Sequence, residues 1–284
     1  MERIAFVGCG LMGSGIAEVA ARAGIDVLVI ERDADAIASG HARIEKSLSR
    51  AVVAGKVPES EANVARVNLS FTDDFSKLSD RQMVIEAVAE DEKIKIEVFK
   101  KLDQYVTDPT AILASNTSSI PIIKLAMVTS RPEQVIGMHF FNPVPVLKLV
   151  ELISSLLTSA ETTKRVEEFA GVQLRKRVIT SPDRAGFVVN ALLIPYLLSA
   201  IRMLESGFAS AEDIDVGMME GCAHPMGPLA LSDLIGLDTT LAVAESLYEE
   251  FKESHLAPPP LLSRMTQAGL LGRKSGQGFY SYKK

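Results

Sequence analysis

The sequence predicts an α/β sheet domain carrying an inserted helical hairpin, followed by a smaller all-α domain. Three observations predict it. Short, apolar, β-branched runs alternate with helical stretches through the first third of the chain. After residue 180 the strand signal almost disappears, and residues 186–267 read as helical segments punctuated by Gly and Pro. A length of 284 residues suits two unequal domains, each with its own core. The composition shift at residues 182–185 sets the expected division into 1–183 and 184–284.

Taken in order, residues 3–8 (RIAFVG) form a strand, a glycine-rich turn follows, and residues 11–23 are helical. A second strand over 26–31 (DVLVIE) completes a βαβ unit. Residues 33–66 are helical with a break at 55–58, too long for a simple crossover, and form the inserted hairpin. Strands return at 83–88 (MVIEAV), 111–116 (AILASN), 135–141 (VIGMHFF) and 146–153 (VLKLVELI), with a last one over 175–180. A helix begins near Pro121. An apolar fraction of 47% with 23% charged residues is that of an ordinary folded protein. The chain opens directly on a strand, with no leader-like segment and no long apolar stretch, so a cytoplasmic protein without membrane contact is expected. Cys9 and Cys222 are far apart and form neither a disulfide framework nor a metal pattern, so no metal is expected. A net charge of −6 argues against nucleic acid as a partner, while a local basic patch still allows an anionic ligand.

Gly8-Cys9-Gly10-Leu11-Met12-Gly13 is a G-x-G-x-x-G between a strand and a helix. Missing side chains there let the backbone turn tightly and approach a pyrophosphate at the helix N-terminus, the Rossmann-type arrangement. Glu31 ends the second strand, where a carboxylate accepts both ribose hydroxyls and repels a 2′-phosphate, so NAD is favoured. Arg32 is the contrary hint, since an arginine beside that position can pair the extra phosphate of NADP; otherwise it is a solvated charge.

His139, among only four histidines, ends an apolar strand, where open α/β sheets build their sites. Reversal of the chain over residues 142–145 places His139 opposite Val150, with Glu151 within side-chain reach. Such a carboxylate fixes the imidazole tautomer and stabilises its cation, which suits a general base; the alternative is a histidine satisfied within the core. Ser115, Asn116, Thr117, Ser118 and Ser119 present short hydrogen-bonding groups at the same sheet edge, either to orient an alcohol or carbonyl or to cap the helix at Pro121. Asn190 lies on an otherwise apolar helix at the domain boundary, bonding a neighbouring backbone or facing the cleft. Arg43, Lys46, Arg50 and Lys56 make a basic stripe on the hairpin, a solvated face or a dock for the phosphates of a large anionic handle.

The segments GCGLMG, VIEAVAE through Lys95, ASNTSSIPI, GMHFFNPVPVLKLVEL, GFVVN, HPMGPLALSDLIGLD and GRKSGQGFYSY together resemble the 3-hydroxyacyl-CoA dehydrogenases, over essentially the whole chain. The resemblance is strongest to the bacterial 3-hydroxybutyryl-CoA members. It implies a Rossmann domain followed by a helical domain that forms a homodimer. It implies that His139 is the catalytic base, Glu151 its partner, and that Ser118 and Asn190 bond the reacting oxygen or the thioester. Further NAD contacts implied are Gly8, Gly10, Leu11, Met12, Gly13, Glu31, Arg32, Ala87, Glu90, Lys95, Asn116, Ser118, His139 and Lys274. Ser47, Arg50 and Lys56 would meet the CoA nucleotide, and Asn142, with Ser118 and Asn190, the rest of the acyl-CoA. The chain departs from the family pattern at Val53 and Ala54, where members often carry lysines, and at Ala185-Gly186 and Ala191, where Pro-Gly and arginine are usual. Two other readings remain beside it: a dehydrogenase of the same architecture acting on a hydroxy acid without CoA, and a catalytically silent NAD-binding protein.

Overall fold

The computed structural model describes residues 1–282. The chain divides into two compact units, Met1–Arg184 and Ala185–Lys284. The last two residues of the helical domain expected over 184–284 lie outside the described residues.

In the first unit β1 (Arg3–Val7), α1 (Leu11–Arg22) and β2 (Asp26–Ile30) form the leading βαβ unit. Its two strands pair in parallel, from Arg3 opposite Asp26 to Val7 opposite Ile30. α2 (Ala34–Val53) and α3 (Glu59–Asn68) make the hairpin, and β3 (Leu69–Thr72) follows. Then come β4 (Met83–Glu86), α4 (Glu92–Tyr105), β5 (Ile112–Ser115), α5 (Ile122–Ala126), β6 (Val135–Phe140), β7 (Leu149–Ser154), α6 (Ala160–Glu168) and β8 (Arg177–Pro182). The sheet runs β3-β2-β1-β4-β5-β6-β7-β8. The strands from β3 to β6 are parallel, β7 runs antiparallel to β6, and β8 runs parallel to β7. The near-continuous apolar content of β1, β2, β4, β5 and β6 follows from burial on both faces. The order reverses between β1 and β4, opening the crevice at the carboxyl ends of the strands where α/β folds place ligands.

Helix starts carry their own signals. Asp33 accepts from the Ala36 N–H at the start of α2 (2.8 Å), and Asp91 from the Ile94 N–H at the start of α4 (3.0 Å). The hairpin is no free arm. Ile44 and Leu48 of α2 and Ala62 and Ala65 of α3 are buried in the main core, and Arg22 of α1 pairs with Glu61 of α3 at 2.7 Å.

Several strands differ from expectation at their ends, and three departures have a local cause. β3 is a four-residue edge strand that the sequence does not announce, because its short LSFT run is partly exposed and lacks a sustained alternation. β7 starts at Leu149 rather than 146, because the N–H groups of Val146 and Leu147 both turn back to the Pro143 carbonyl, at 3.0 and 2.9 Å. β8 starts at Arg177 rather than 175, since Arg175 takes a left-handed φ of 53° and the Lys176 N–H bonds the Ala170 carbonyl.

The second unit holds α7 (Val189–Glu205), α8 (Ala211–Gly221), α9 (Pro228–Ile235), α10 (Leu237–Phe251) and α11 (Pro260–Gln267). Leu197, Leu198, Ile201, Leu229, Val243, Leu247 and Leu262 lie at its centre. Two buried aspartates fasten it. Asp215 accepts from the Leu229 and Ala230 N–H groups at the start of α9 (2.8 and 2.9 Å), and Asp233 from the Phe279 and Tyr280 N–H groups, both at 3.0 Å. The α/β unit with its hairpin and the all-α unit after it are the architecture that the sequence predicts. Among the described residues no helix is long and apolar enough to cross a membrane.

Candidate active site

The glycine loop joins β1 to α1. Gly8 has φ +94°, and a Cβ there would stand 2.7 Å from the Ala87 carbonyl oxygen; one on Gly13 would stand 2.0 Å from the Gly8 oxygen. Around Gly10, by contrast, a Cβ would meet nothing within 4 Å, so the outer rim of the loop is open. α1 begins without a side-chain cap and without an acid in its first turn. Its N–H dipoles are therefore available to an anion, and this cradle fits a dinucleotide pyrophosphate.

Glu31 stands at the mouth of the loop, where one carboxylate oxygen accepts from the Cys9 N–H at 2.5 Å. Arg32 turns away, its side chain 84% exposed and paired with Asp33 at 3.0 Å, which leaves the carboxylate as the charge that faces the loop. Arg43, part of the expected basic stripe, instead donates to the Cys9 carbonyl at 2.5 Å and belongs to the loop. Burial pushes the Cys9 thiol up to about 12, with Glu31 adding and Arg43 opposing, so it stays a neutral packing group.

At the far end of the parallel run, β6 and β7 place His139 directly opposite Glu151, one residue beyond the expected partner Val150, which faces Phe140. Directly paired residues share a sheet face, so the two side chains meet: Nδ1 of His139 lies 2.7 Å from the carboxylate of Glu151. His139 is 7% exposed and Glu151 fully buried. Asn116, just past β5, receives the Phe140 N–H on its side-chain oxygen at 3.0 Å, tying the serine-rich turn to the strand that carries His139.

Glu90 organises that turn. One of its oxygens accepts from Thr117 Oγ1 (2.6 Å), the Ser118 N–H (2.8 Å), the Ser119 N–H (3.1 Å) and Ser119 Oγ (2.9 Å). Burial raises this carboxyl, but the Lys95 ammonium and the donors from Thr117, Ser118 and Ser119 outweigh it and hold the group below the usual carboxylate range. Lys95, with no exposed surface, lies 2.6 Å from Glu86 and 3.3 Å from Glu90. Glu86 is equally buried and also accepts from the Val88 N–H (2.7 Å) and Ser115 Oγ (2.6 Å). The sequence reading passed over Glu86, although a single carboxylate within the buried run MVIEAV is the signal that finds it.

The turn between β6 and β7 is fastened from below. Lys176, 9% exposed, donates from Nζ to the carbonyls of Val144 (2.5 Å) and Leu147 (2.7 Å). Sequence reading missed this residue too, because it sits in a polar stretch before an edge strand. Asn142 is exposed on the same turn. On the hairpin Arg50 and Lys56 are exposed, and Ser47 is half-buried over Glu18, whose carboxyl is raised by burial against the opposing effects of Ser47 and Arg22. Thus the structure gathers His139, Glu151, Asn116, Ser118, Glu90 and Lys95 along one strand edge of the first unit, with Gly8–Gly13, Glu31 and Ala87 at the crevice. Asn190, in the first turn of α7, and Lys274, paired with Asp238, belong to the second unit.

Comparison with known proteins gives a consistent set of matches. The family model described as "3-hydroxyacyl-CoA dehydrogenase, NAD binding domain" matches residues 3–184, and "3-hydroxyacyl-CoA dehydrogenase, C-terminal domain" matches residues 186–282. A 3-hydroxybutyryl-CoA dehydrogenase of Mycobacterium tuberculosis is 60% identical over 282 residues, 99% of each chain. The crystal structure of FadB2 from M. tuberculosis is similar with a TM-score of 0.98 at 59% identity, covering 100% of this chain and 99% of that one. The (S)-3-hydroxybutyryl-CoA dehydrogenase PaaH1 from Ralstonia eutropha superposes with a TM-score of 0.95 at 45% identity, over 100% of both chains.

Proposed function

The chain belongs to the 3-hydroxyacyl-CoA dehydrogenase family, and from that premise we propose that His139 is the general base and acid in the interconversion of (S)-3-hydroxybutyryl-CoA and acetoacetyl-CoA. It is an NAD-dependent oxidoreductase of 3-hydroxyacyl-CoA. The observation that carries the assignment of His139 is its Nδ1 contact with buried Glu151 at 2.7 Å.

An ionised Glu151 can only accept, so Nδ1 carries the proton and donates, and Nε2 is left with the lone pair that removes the 3-hydroxyl proton. Taking that proton makes an imidazolium, whose charge the same carboxylate stabilises. Bound NAD supplies the acceptor for the hydride that leaves C3. In the reverse direction His139 returns the proton to the carbonyl oxygen. Ser118, on the turn fastened by Glu90, orients that oxygen or the thioester, with Asn142 as its partner in binding. The glycine loop and Glu31 hold the cofactor's pyrophosphate and ribose, and Ala87, Glu90, Lys95 and Asn116 complete its contacts. Ser47, Arg50 and Lys56 meet the CoA nucleotide.

A homodimer through the helical unit is supported by its exposed apolar side chains: Leu192 at 74%, Phe208 at 79%, and Met203, Val216 and Met219 above 40%. A cytoplasmic location agrees with two unpaired cysteines. The test of function is the initial rate of NADH oxidation with acetoacetyl-CoA, beside NADPH and beside free acetoacetate. Turnover confined to NADH and the CoA ester is the expected result. Equal rates with the free acid, or none with the ester, would sink the proposal.

A further inference from the structure

The group of Glu86, Lys95 and Glu90 holds more charge than its packing role requires. Glu86 ends β4 with no exposed surface, and both its oxygens are engaged: one accepts from Lys95 and the Val88 N–H, the other from Ser115 Oγ. Lys95 therefore pairs most closely with Glu86, at 2.6 Å, and only more distantly with Glu90, at 3.3 Å. No other cation pairs with either carboxylate among the described residues. Two carboxylates and one ammonium leave a net charge of −1. The excess lies toward Glu90, the more exposed carboxylate, whose oxygen holds the Ser118 N–H and whose side chain is 32% exposed.

We propose that Glu86 is a positioning residue that sets the cofactor's redox preference: by pairing with Lys95 from beneath, it leaves the group of three one negative charge in excess beside the reacting groups, favouring the oxidised form. The inference rests on the functional reading above, in which Ser118 bonds the reacting oxygen and hydride passes to a ring beside it. That ring bears one positive charge when oxidised and none when reduced. An excess negative charge in a partly buried site therefore attracts the first form and is indifferent to the second. If Lys95 had only Glu90 for a partner, the pair would be neutral and the preference would vanish.

Glu86→Gln is a conservative test of the same size: its amide oxygen can accept from Lys95 and the Val88 N–H, and its NH2 faces Ser115 Oγ, which turns from donor to acceptor. The charge is removed, and Ser115→Ala controls for the altered hydroxyl bond. Dissociation constants for NAD+ and for NADH are measured separately, by calorimetry and by NADH fluorescence, without turnover. Relative to the native chain, Glu86→Gln is expected to raise the ratio Kd(NAD+)/Kd(NADH) about tenfold, the scale of one partly buried charge acting at short range. Glu90→Gln, whose amide oxygen can go on accepting from Thr117, Ser118 and Ser119, is expected to raise it in the same direction. Ser115→Ala, which removes a bond to Glu86 but no charge, should leave the ratio where it is. Equal weakening of both forms by Glu86→Gln, or an unchanged ratio, overturns the proposal and makes Glu86 a structural strut. Should that variant fail to fold, Glu90→Gln decides: a raised ratio supports the proposal and an unmoved one overturns it. A native chain that binds neither form overturns the functional reading itself, whereas native binding with unresponsive variants overturns only this inference.

Discussion

At His139 the position of one proton decides what the side chain can do. With Nδ1 committed to Glu151, Nε2 is the ring nitrogen that can act as the base, so each partner has a separable effect. His139→Gln should lower kcat by at least about a hundredfold while NADH binding, read by fluorescence, stays near native. Glu151→Gln leaves the ring in place but removes the charge that stabilises its cation. We expect a kcat loss of at least about tenfold. Both residues are legible in the sequence, since a rare histidine at a strand end and a carboxylate beyond a Pro-rich turn limit the choices. Their register is not. Counting symmetrically about the turn pairs His139 with Val150, but the Pro143 carbonyl gathers two N–H groups, and that local fold moves the pairing by one residue. Glu86 escapes a residue-by-residue reading for another reason: its importance lies in partners nine and twenty-nine residues away, brought together only by neighbouring strands and a helix.

Among the elements, the α2–α3 hairpin shows how a stripe of like charges divides once folded. Its helices were predicted from periodicity and are present, but Arg43 is drawn down to the Cys9 carbonyl while Arg50 and Lys56 remain in solvent. Charge removal at Arg50 and Lys56 together is expected to raise KM for acetoacetyl-CoA several-fold, roughly threefold to tenfold for two exposed phosphate contacts, and to leave the Kd for NADH unchanged. An equal rise with a substrate lacking the nucleotide would count against CoA docking there. The β6–β7 turn depends on a cation hidden from view in the sequence. Lys176→Met leaves the Val144 and Leu147 carbonyls without their donor, which should cost about 1–3 kcal/mol in denaturant unfolding. β3 remained unread because four partly exposed residues carry too little pattern, and its strand character comes from pairing with β2.

For the whole molecule, acid stability and assembly are the measurable properties. Glu90 is held below its ordinary value of 4.5 in the fold, so it contributes stability above that value and loses the contribution as pH falls through its lowered one. Glu18 acts with the opposite sign: its raised value makes ionisation unfavourable in the fold, a penalty relieved as pH falls. The stability gap between the native chain and Glu90→Gln should therefore be constant above about pH 5 and close below it, as unfolding curves taken across that range would show. Sedimentation should report a dimer, and charged replacements at Leu192 and Phe208 should shift it toward monomer; an unmoved equilibrium would place the interface elsewhere. The division into an α/β part and a helical part was legible because hydrophobic period changes from strand-like to helix-like along the chain. The interlock of Gly8, Gly13 and the Ala87 carbonyl, where no Cβ has room, also bears on heredity. Every missense change of a single base in a glycine codon brings in a side chain, so neither position has a neighbouring genotype that keeps the loop. A mutational library of this gene should return blanks at those two codons.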